Sequence, residues 1–560
     1  MEYIIFLGVV GLFIIILFIK GLFDKRRDKI RFINNIREKF GVMRKKEYPA
    51  GRMDTIAGFF KRHPEDLCID DITWTDLGMD EVYKRLNYSF SSAGDEYLYH
   101  LLRTPSIDEK ELEKRERYIN NFIDNEKDRV DVAYAISGLG YSGKYSIHDY
   151  IDNLDILGVR KNTLHYLSWV ALFIAVGLIF YNPGIGAAAI AGVIVYNFVS
   201  YFKEKSQIDP YITSFSYIMR LLQTGDALEK LDHSIWNDEW ELIKSSKAKL
   251  NKFRRGSYII MSSARMSGSG NPLDMIFDYL RMCFHVDIIK FNNMLVEVRN
   301  HTDDIDVLVK AVGYLDSMLS IAAYRCSLEQ YCVPEIGVNL NIVEGRHPLL
   351  EDCVPNGIEV KRGVLLTGSN ASGKSTFLKM VAINAIMAQS IHTVFAKSYA
   401  APLFYIASSM ALKDNIFDNE SYYIVEIKSI KRILDRAEGD IPVLCFVDEV
   451  LRGTNTVERI AASTQILKRL AKSHVICFAA THDIELADLL AKYYDNYHFE
   501  EEIEDGDVKF SYMIKDGKAT TRNAIKLLSV MGYDSSLVES AEKMSNGFLE
   551  NGTWENVNYE

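Results

Sequence analysis

Two stretches of the chain are apolar for long enough to cross a membrane. Residues 3–19 carry no charged side chain, and the apolar character continues to Phe23. At about 1.5 Å per residue a helix here would be roughly 26–32 Å long, enough for a bilayer core. Residues 164–202 also lack Asp, Glu, Lys and Arg, and Asn182-Pro183-Gly184 divides them, because Pro and Gly interrupt helices. The pattern predicts three transmembrane helices: an anchor over 1–23 and a hairpin over 164–202.

Basic residues beside these stretches predict their orientation. A basic cluster at 25–27 follows the first stretch, residues 160–161 precede the hairpin, and Lys203 and Lys205 follow it. Since basic flanks stay in the cytosol, we expect the large soluble segments on the cytosolic side of the cell membrane. A cleaved signal peptide is the alternative for the first stretch, although it would begin with basic residues. A hairpin buried in a soluble core is the alternative for the second.

The remaining sequence divides into a helical part and an α/β part. Residues 24–163 and 203–340 repeat apolar side chains every three or four positions, which is typical of helices. Residues 341–520 contain near-continuous apolar strands at 363–367, 443–447 and 475–480, a pattern that favours a parallel sheet covered on both faces. The sequence therefore predicts an all-α core, interrupted by the membrane hairpin and followed by an α/β domain. Residues 521–560 form a helical tail.

A phosphate-binding loop follows the first apolar strand. The pattern GxxxxGK[ST] between a strand and a helix is the P-loop, in which backbone N–H groups wrap phosphates. Lys374 would reach the β and γ phosphates and the Ser375 hydroxyl would bind Mg²⁺. We therefore predict an ATP and Mg²⁺ site. Its nucleotide-binding residues are Gly368, Ser369, Asn370, Ala371, Ser372, Gly373, Lys374, Ser375 and Thr376.

Polar residues at the ends of the other two strands complete a predicted catalytic site. Asp448-Glu449 follow the strand at 443–447, and Thr481-His482 follow the strand at 475–480. Asp448 would hold Mg²⁺ with Ser375, and Glu449 would deprotonate the attacking water. His482 would sense the γ phosphate through a hydrogen bond. Alone, the carboxylates could form a solvated turn and the histidine could be structural; with the loop upstream, the pattern predicts an ATPase whose catalytic residues are Glu449, Lys374 and His482.

Composition narrows the class of protein. The chain is 48% hydrophobic and 25% charged with a formal charge of -11, which excludes global disorder and disfavours binding nucleic acid through bulk positive charge. Its seven cysteines contain no CxxC, which argues against a zinc ribbon or a disulfide framework. The densest basic run away from the membrane, residues 244–255, is either a DNA contact or a solvated helix face; we favour the solvated face.

Several linked stretches form a specific pattern: Glu344-Gly-Arg-His-Pro-Leu-Leu350, Val354-Pro-Asn356, Thr367–Thr376, Ser421–Glu426, Val447–Thr456, Thr481-His482 and Arg522–Leu528. Taken together, they resemble the MutS family of DNA mismatch repair ATPases, which are ABC-type ATPases. A weaker likeness lies at residues 90–102 and 313–316, where the family's helical core starts and closes.

The resemblance implies a homodimer with shared nucleotide sites. In this family a serine from one subunit faces the nucleotide on the phosphate loop of the other; Ser421 matches that serine, acting in trans, and Asn370 matches the loop asparagine. Residues 521–560 resemble the family's C-terminal dimerisation element. Asn419-Glu420 precede Ser421 where the family usually has Gly-Arg. Because a carboxylate near a triphosphate is unfavourable, we expect either slow turnover or a different contact in trans. The roughly 45 residues between the anchor and the helical core are too few for the family's mismatch-reading domain.

Two functions stay open at this point. The first is a membrane-anchored, MutS-like dimeric ATPase that engages DNA, an expectation that rests on the resemblance alone. The second is an ATP-driven scaffold that remodels a membrane protein complex without nucleic acid. An ABC transporter is disfavoured, because the hairpin interrupts a helical core and does not form a separate channel domain.

Overall fold

In a computed structural model of the chain, the described residues form two compact units. The helical unit comprises residues 1–64, 85–100 and 116–327, and the sheet unit comprises 65–84, 101–115 and 328–560. Most of the predicted anchor at 1–23 lies outside the described residues. Those residues are 19–20, 23–24, 26–43, 48–142, 146–255, 257, 279–369, 372–410, 422–504, 507–519 and 524–554.

The helical unit is built from helices, as the apolar spacing predicts. Helices that lie wholly within the unit include Arg52–Ile56, Gly58–Arg62, Glu126–Ser137, Ile147–Asn153, Thr163–Tyr181, Pro183–Ile208, Ile212–Leu228, Asn237–Lys249, Asn251–Arg254, Val286–Asn300 and Thr302–Cys326. Three other helices, Met79–Leu86, Ser92–Arg103 and Glu109–Asp124, contain residues of both units.

The helix Thr302–Cys326 lies in the core of the helical unit and is buried over most of its length. A Cβ atom on Gly313 would come within 2.6 Å of the carbonyl oxygen of Ala93, so the two backbones are in close contact. Asp316 accepts hydrogen bonds from the backbone N–H of Phe90 at 3.0 Å and from the hydroxyl of Ser91 at 2.6 Å. The two stretches with the weaker family likeness therefore pack against each other.

Residues 163–208 form a helical hairpin, which we call the apolar hairpin. Its first helix ends at Tyr181, and its second begins at Pro183 with Asn182 as the N-cap, whose side chain accepts the N–H of Gly184 and Ile185. Within the described residues, helical segments from Thr163 and from Pro183 are long and apolar enough to cross a membrane, by length and composition only. In each, only 17% of the most apolar window is buried within the protein.

Polar contacts attach the base of the apolar hairpin to residues 283–287. The indole N–H of Trp169 donates to the carbonyl of Phe284 at 2.7 Å, and Asn197 donates to the carbonyl of Cys283 at 2.8 Å. Tyr201 donates its hydroxyl to Asp287 at 2.9 Å. These bonds satisfy polar groups that would otherwise be buried without partners.

The sheet unit contains the predicted parallel sheet. Its described strands are β1 Glu335–Ile336, β2 Leu340–Gly345, β3 Asn356–Val360, β4 Gly363–Thr367, β5 Ser398–Ala401, β6 Tyr405–Ser409, β7 Val443–Asp448, β8 Val475–Thr481, β9 Tyr494–His498, β10 Glu501–Glu504, β11 Asp507–Phe510 and β12 Lys515–Asp516. The main sheet has six of these strands in the order β12-β9-β4-β8-β7-β6, and every neighbouring pair is parallel except β12 with β9. A second sheet has the order β1-β5-β2-β3, and β10 pairs with β11.

Helices accompany the parallel sheet, and the strands between them are buried as their apolar sequences predict. The first helix after β4 begins at Lys374, directly in the phosphate loop. The helices wholly within the sheet unit are Asp71–Leu77, Lys374–Ser390, Tyr422–Arg436, Thr456–Leu470, Glu485–Leu489, Ala524–Val530 and Ser535–Asn551.

The helix Asp71–Leu77 belongs to the sheet unit, whereas the sequence division assigns it to the helical segment 24–163. Its buried Asp76 accepts the hydroxyl of Ser408 at 2.7 Å and the backbone N–H of Met410 at 2.8 Å. The Thr73 hydroxyl oxygen accepts the backbone N–H of Ser408 at 3.0 Å. These bonds cap the end of β6, a contact that helical periodicity alone cannot reveal.

Candidate functional site

The phosphate loop lies between β4 and the helix Lys374–Ser390. Gly368 and Gly373 have φ angles of 139° and 110°, where a side chain would be strained. A Cβ atom on Gly368 would also come within 2.6 Å of the carbonyl oxygen of Phe499. The buried Lys374 donates through Nζ to the carbonyl oxygens of Gly368 and Ser369, both at 2.7 Å. The described part of the loop, which excludes Asn370 and Ala371, therefore curls around the Lys374 ammonium.

Ser375 and Asp448, the predicted magnesium ligands, are brought together by the strand order. Because β8 lies between β4 and β7, the carboxyl ends of all three strands meet at one edge of the sheet. The Ser375 hydroxyl donates to Oδ2 of Asp448 at 2.5 Å. Burial raises the pKa of Asp448 and the neighbouring charge of Glu449 adds to this, while the Ser375 hydrogen bond opposes it. A hydroxyl and a carboxylate are oxygen ligands of the kind that Mg²⁺ prefers, so these residues fit that ion.

Glu449 and His482 are in direct contact at the same edge. Nε2 of His482 lies 2.8 Å from Oε1 of Glu449. Oε2 of Glu449 is 2.9 Å from Nε of Arg452, a residue for which sequence analysis predicts no role. The His482 hydrogen bond is the main cause that lowers the pKa of Glu449, and the charges of Arg452 and Lys374 act in the same direction. Glu449 is therefore held as a carboxylate beside the phosphate loop.

The turn that carries His482 is fixed by an ion pair. Arg459, on the helix Thr456–Leu470, donates to both carboxylate oxygens of Asp483 at 2.8 and 2.6 Å. The backbone N–H of Asp483 donates to the Thr481 hydroxyl at 3.0 Å. Two-point pairing of a guanidinium with a carboxylate fixes orientation as well as distance, so His482 is held facing Glu449.

Ser421, the serine expected to act in trans, lies outside the described residues. The helix that follows it, Tyr422–Arg436, reaches the site through Glu426, which is only 4% exposed. Oε1 of Glu426 accepts the backbone N–H of Leu451 at 2.5 Å and that of Arg452 at 3.3 Å. The family-like stretch Ser421–Glu426 contains this glutamate, but its spacing gave no indication of the contact.

A cavity of about 300 Å³ opens beside the phosphate loop. The sequence did not predict it, because its lining comes from four separate parts of the sheet unit. The rings of Phe377 and Phe499 lie 5.8 Å apart in its wall. Flat apolar walls with a few polar groups are typical of small-molecule sites. The lining includes His347, Val354, Asn356, Gly373, Thr376, Phe377, Met380, Phe499 and Tyr512.

The basic run at 244–255 is largely neutralised by acidic neighbours. Lys247 pairs with Asp226 at 3.0 Å and with Glu229 at 2.6 Å. Lys249 pairs with Asp304, and Arg254 pairs with Asp226, both at 2.7 Å. Cations already paired within the protein release fewer counterions on meeting a phosphate backbone, so this surface agrees with a solvated helix face.

Known proteins are similar to the part of the chain that contains the phosphate loop. Residues 364–548 match the family described as MutS domain V. The DNA mismatch repair protein MutS of Natronomonas pharaonis is 30% identical over 278 residues, 47% of this chain and 32% of that protein. MutS protein homolog 4 of Mus musculus is 34% identical over 263 residues, 43% of this chain and 27% of that protein. The MutS protein of Thermus thermophilus is 32% identical over 219 residues, 38% of this chain and 27% of that protein.

The matched segment therefore spans about a third or less of these relatives. The match covers the phosphate loop, the strands β7 and β8, and the C-terminal helices. The resemblance of this chain to the MutS family is confirmed.

Proposed function

We propose that this chain, whose residues 364–548 match MutS domain V, binds ATP with Mg²⁺ and hydrolyses it. The observation that carries the proposal is the cluster at one edge of the sheet. There the Ser375 hydroxyl lies 2.5 Å from Oδ2 of Asp448, and Oε1 of Glu449 lies 2.8 Å from Nε2 of His482. Lys374 is close enough for its charge to act on both carboxylates.

Each residue then has a separate role. The N–H groups of residues 368–376 and the ammonium of Lys374 bind phosphate oxygens, which replace the loop carbonyls that Lys374 now contacts. Ser375 and Asp448 hold Mg²⁺, which when bound offsets the negative charge of the phosphates. Glu449 orients and deprotonates the attacking water, and His482 holds Glu449 and senses the γ phosphate.

The cavity beside the loop is suited to the base of the nucleotide. Gly373 and Thr376 border both the cavity and the phosphate loop, so a bound triphosphate would carry its base toward Phe377 and Tyr512. Aromatic rings provide stacking partners for a purine. The base would thus contribute affinity without touching Glu449.

The active form is proposed to be a homodimer. By resemblance to the family, Ser421 of one subunit faces the γ phosphate on the phosphate loop of the other. The helix Ser535–Asn551 also presents apolar side chains to solvent, including Leu537, 48% exposed, and Met544, 39% exposed. Burial of this face against a second copy fits residues 521–560 as a dimerisation element.

Membrane attachment is supported by the apolar hairpin. Phe173 is 68% exposed and Val195 is 62% exposed, although both lie within the charge-free stretch 164–202. Transfer of these apolar side chains from water into lipid would be favourable. The hairpin would cross the cell membrane with both units in the cytosol, together with the predicted anchor at 1–23.

Engagement of DNA is the least supported part of the proposal. It rests on the relatives, two of which bear the name DNA mismatch repair protein MutS. The ion pairs of Lys247, Lys249 and Arg254 favour the second candidate function, an ATP-driven scaffold for a membrane protein complex.

One experiment tests both the reaction and the partner. The ATPase rate of the full chain in lipid nanodiscs is measured with and without duplex DNA, at low and at high salt. Hydrolysis that is lost in Lys374→Ala supports the ATPase. Stimulation by DNA that weakens with salt supports a DNA role, because phosphate contacts are salt-sensitive. A rate that DNA leaves unchanged favours the scaffold, and no hydrolysis at all contradicts the proposal.

A further inference from the structure

The backbone directly after β7 is held in an unfavourable conformation. Glu449 and Leu451 both have a φ angle of 57°, in the left-handed region that residues with a Cβ atom seldom adopt. Such a conformation persists only where surrounding contacts impose it. The contacts that fix this segment, residues 449–452, therefore also determine where the Glu449 carboxylate points.

Contacts from three elements hold the segment. The N–H of Glu449 donates to the carbonyl of Ala480 in β8 at 2.9 Å. The hydroxyl of Ser463 donates to the carbonyl of Val450 at 3.2 Å. The carboxylate of Glu426, on the helix Tyr422–Arg436, accepts the N–H groups of Leu451 and Arg452.

Glu426 is the charged member of this set and is nearly inaccessible to water. Its side chain is 4% exposed, and among the described residues its Oε2 has no hydrogen-bond partner. Burying a carboxylate is costly unless it is hydrogen-bonded. The two hydrogen bonds that Glu426 accepts both come from the segment 449–452. Among the described residues, the hydrogen bonds of Glu426 go to Leu451 and Arg452, and Glu426 is not among the residues that line the cavity.

We propose that Glu426 is a positioning residue for Glu449: by accepting the N–H groups of Leu451 and Arg452, it holds the segment that aims the Glu449 carboxylate at His482. The inference rests on the proposed ATPase function, in which Glu449 is the base. It also accounts for Arg452, whose N–H is held by Glu426 and whose guanidinium meets the outer oxygen of Glu449.

The proposal predicts a loss of turnover without a loss of binding. Glu426→Leu keeps a similar volume and removes the acceptor, whereas Glu426→Gln keeps an acceptor oxygen at the same place. We expect kcat of the Leu variant to fall roughly 100-fold, the scale of a small misplacement in an active site. The KM for ATP and the affinity for a fluorescent ATP analogue should stay near those of the parent. The Gln variant should retain most of the parent's kcat.

A double substitution separates positioning from packing. Glycine adopts a positive φ without strain, so Leu451→Gly reduces the need for Glu426. The ratio of kcat with and without Glu426→Leu should therefore be smaller in the Leu451→Gly background than in the parent. An equal ratio in both backgrounds would overturn the proposal. So would an equal loss of kcat in the Leu and Gln variants, or a normal kcat in the Leu variant.

Thermal unfolding shows whether Glu426→Leu is folded, and a second variant tests the proposal if it is not. Glu426→Asp keeps the charge and withdraws the carboxylate by one methylene, so kcat should again fall while ATP binding is kept; a normal kcat in this variant would overturn the proposal. If the parent hydrolyses ATP and these variants match it, the inference fails and the proposed function stands. If the parent binds ATP but does not hydrolyse it, both fail.

Discussion

The hydroxyl of Ser375 donates to the carboxylate of Asp448 at 2.5 Å across 73 positions of sequence. The next residue, Glu449, is bonded to His482 instead. Burial raises the pKa of Asp448, while the His482 bond lowers that of Glu449. Two adjacent carboxyl groups in different surroundings can perform different tasks, here holding a cation and accepting a proton.

Replacing the base should separate binding from hydrolysis. In Glu449→Gln the side chain keeps its size but cannot accept the proton of the attacking water. We expect kcat to fall at least about 100-fold, since general bases contribute roughly that much or more, while ATP binding persists. Rapid-quench assays and nucleotide retention measure the two quantities. Glu485→Gln, on the exposed side of a nearby helix, serves as the control. Normal turnover in Glu449→Gln would show that another group is the base.

A mixed dimer should regain one working site. A Lys374→Ala subunit has a defective phosphate loop and an intact Ser421, and a Ser421→Ala subunit has the reverse. When the two are combined, one site contains an intact loop and an intact serine, whereas each variant alone contains none. Differently tagged subunits are co-purified and their ATPase rate compared with that of each pure variant. If the mixture is as inactive as the parts, the serine does not act across the dimer.

The cavity residue Tyr512 should affect affinity more than turnover. Its ring borders the cavity and stacks on Phe510 with centroids 5.7 Å apart. Loss of a stacking partner costs about 1 kcal/mol, so Tyr512→Ala should weaken ATP and ADP binding alike by several-fold. Titration with both nucleotides measures this, and Tyr512→Phe should bind as the parent does. Unchanged affinity in the alanine variant would place the base elsewhere.

The tip of the apolar hairpin should be accessible from outside the cell. Tyr181, at the end of the first hairpin helix, is 86% exposed, and Val457, in the sheet unit, is 80% exposed. A membrane-impermeant maleimide should label Tyr181→Cys in intact spheroplasts and Val457→Cys only after permeabilisation. Because the two sites are similarly exposed, a difference in their labelling reports on the membrane. Equal labelling of both before permeabilisation would contradict a spanning hairpin.

The buried Glu96 should make the helical unit less stable as pH rises. Burial raises the pKa of Glu96 from 4.5 to about 8, although the Ser146 hydroxyl donates to it at 2.8 Å. Between these values the folded state holds a proton that the unfolded state has lost, so stability present below pH 4.5 is lost as pH rises toward 8.

Glu96→Gln removes this titration and keeps the acceptor for Ser146. We expect the variant to be more stable than the parent by about 3 kcal/mol at pH 7, an order-of-magnitude figure from the shift in pKa, and nearly equal to it near pH 4.5. Thermal unfolding at the two pH values measures the difference. Glu81→Gln, at a side chain that is 62% exposed, should show none. A constant difference between Glu96→Gln and the parent would mean that Glu96 ionises normally.

The sequence alone determined the features that are set by neighbours along the chain. The phosphate loop is one, because its glycines, its lysine and the flanking strand and helix all lie within residues 363–390 and fix its backbone locally. The helical hairpin is another, because helix length, apolarity and the break at Pro183 are all properties of one continuous segment.

The tertiary structure alone decided which distant residues meet. Apolar alternation shows that β4, β7 and β8 are buried, but only their order brings Ser375 to Asp448 and Glu449 to His482. The tertiary structure also reveals that Glu426 accepts the N–H of Leu451 and that Asp76 accepts the hydroxyl of Ser408 in β6. The physical reason is that an apolar pattern specifies which face of an element must be covered, while the covering partner depends on strand order and on long-range packing that no local spacing encodes.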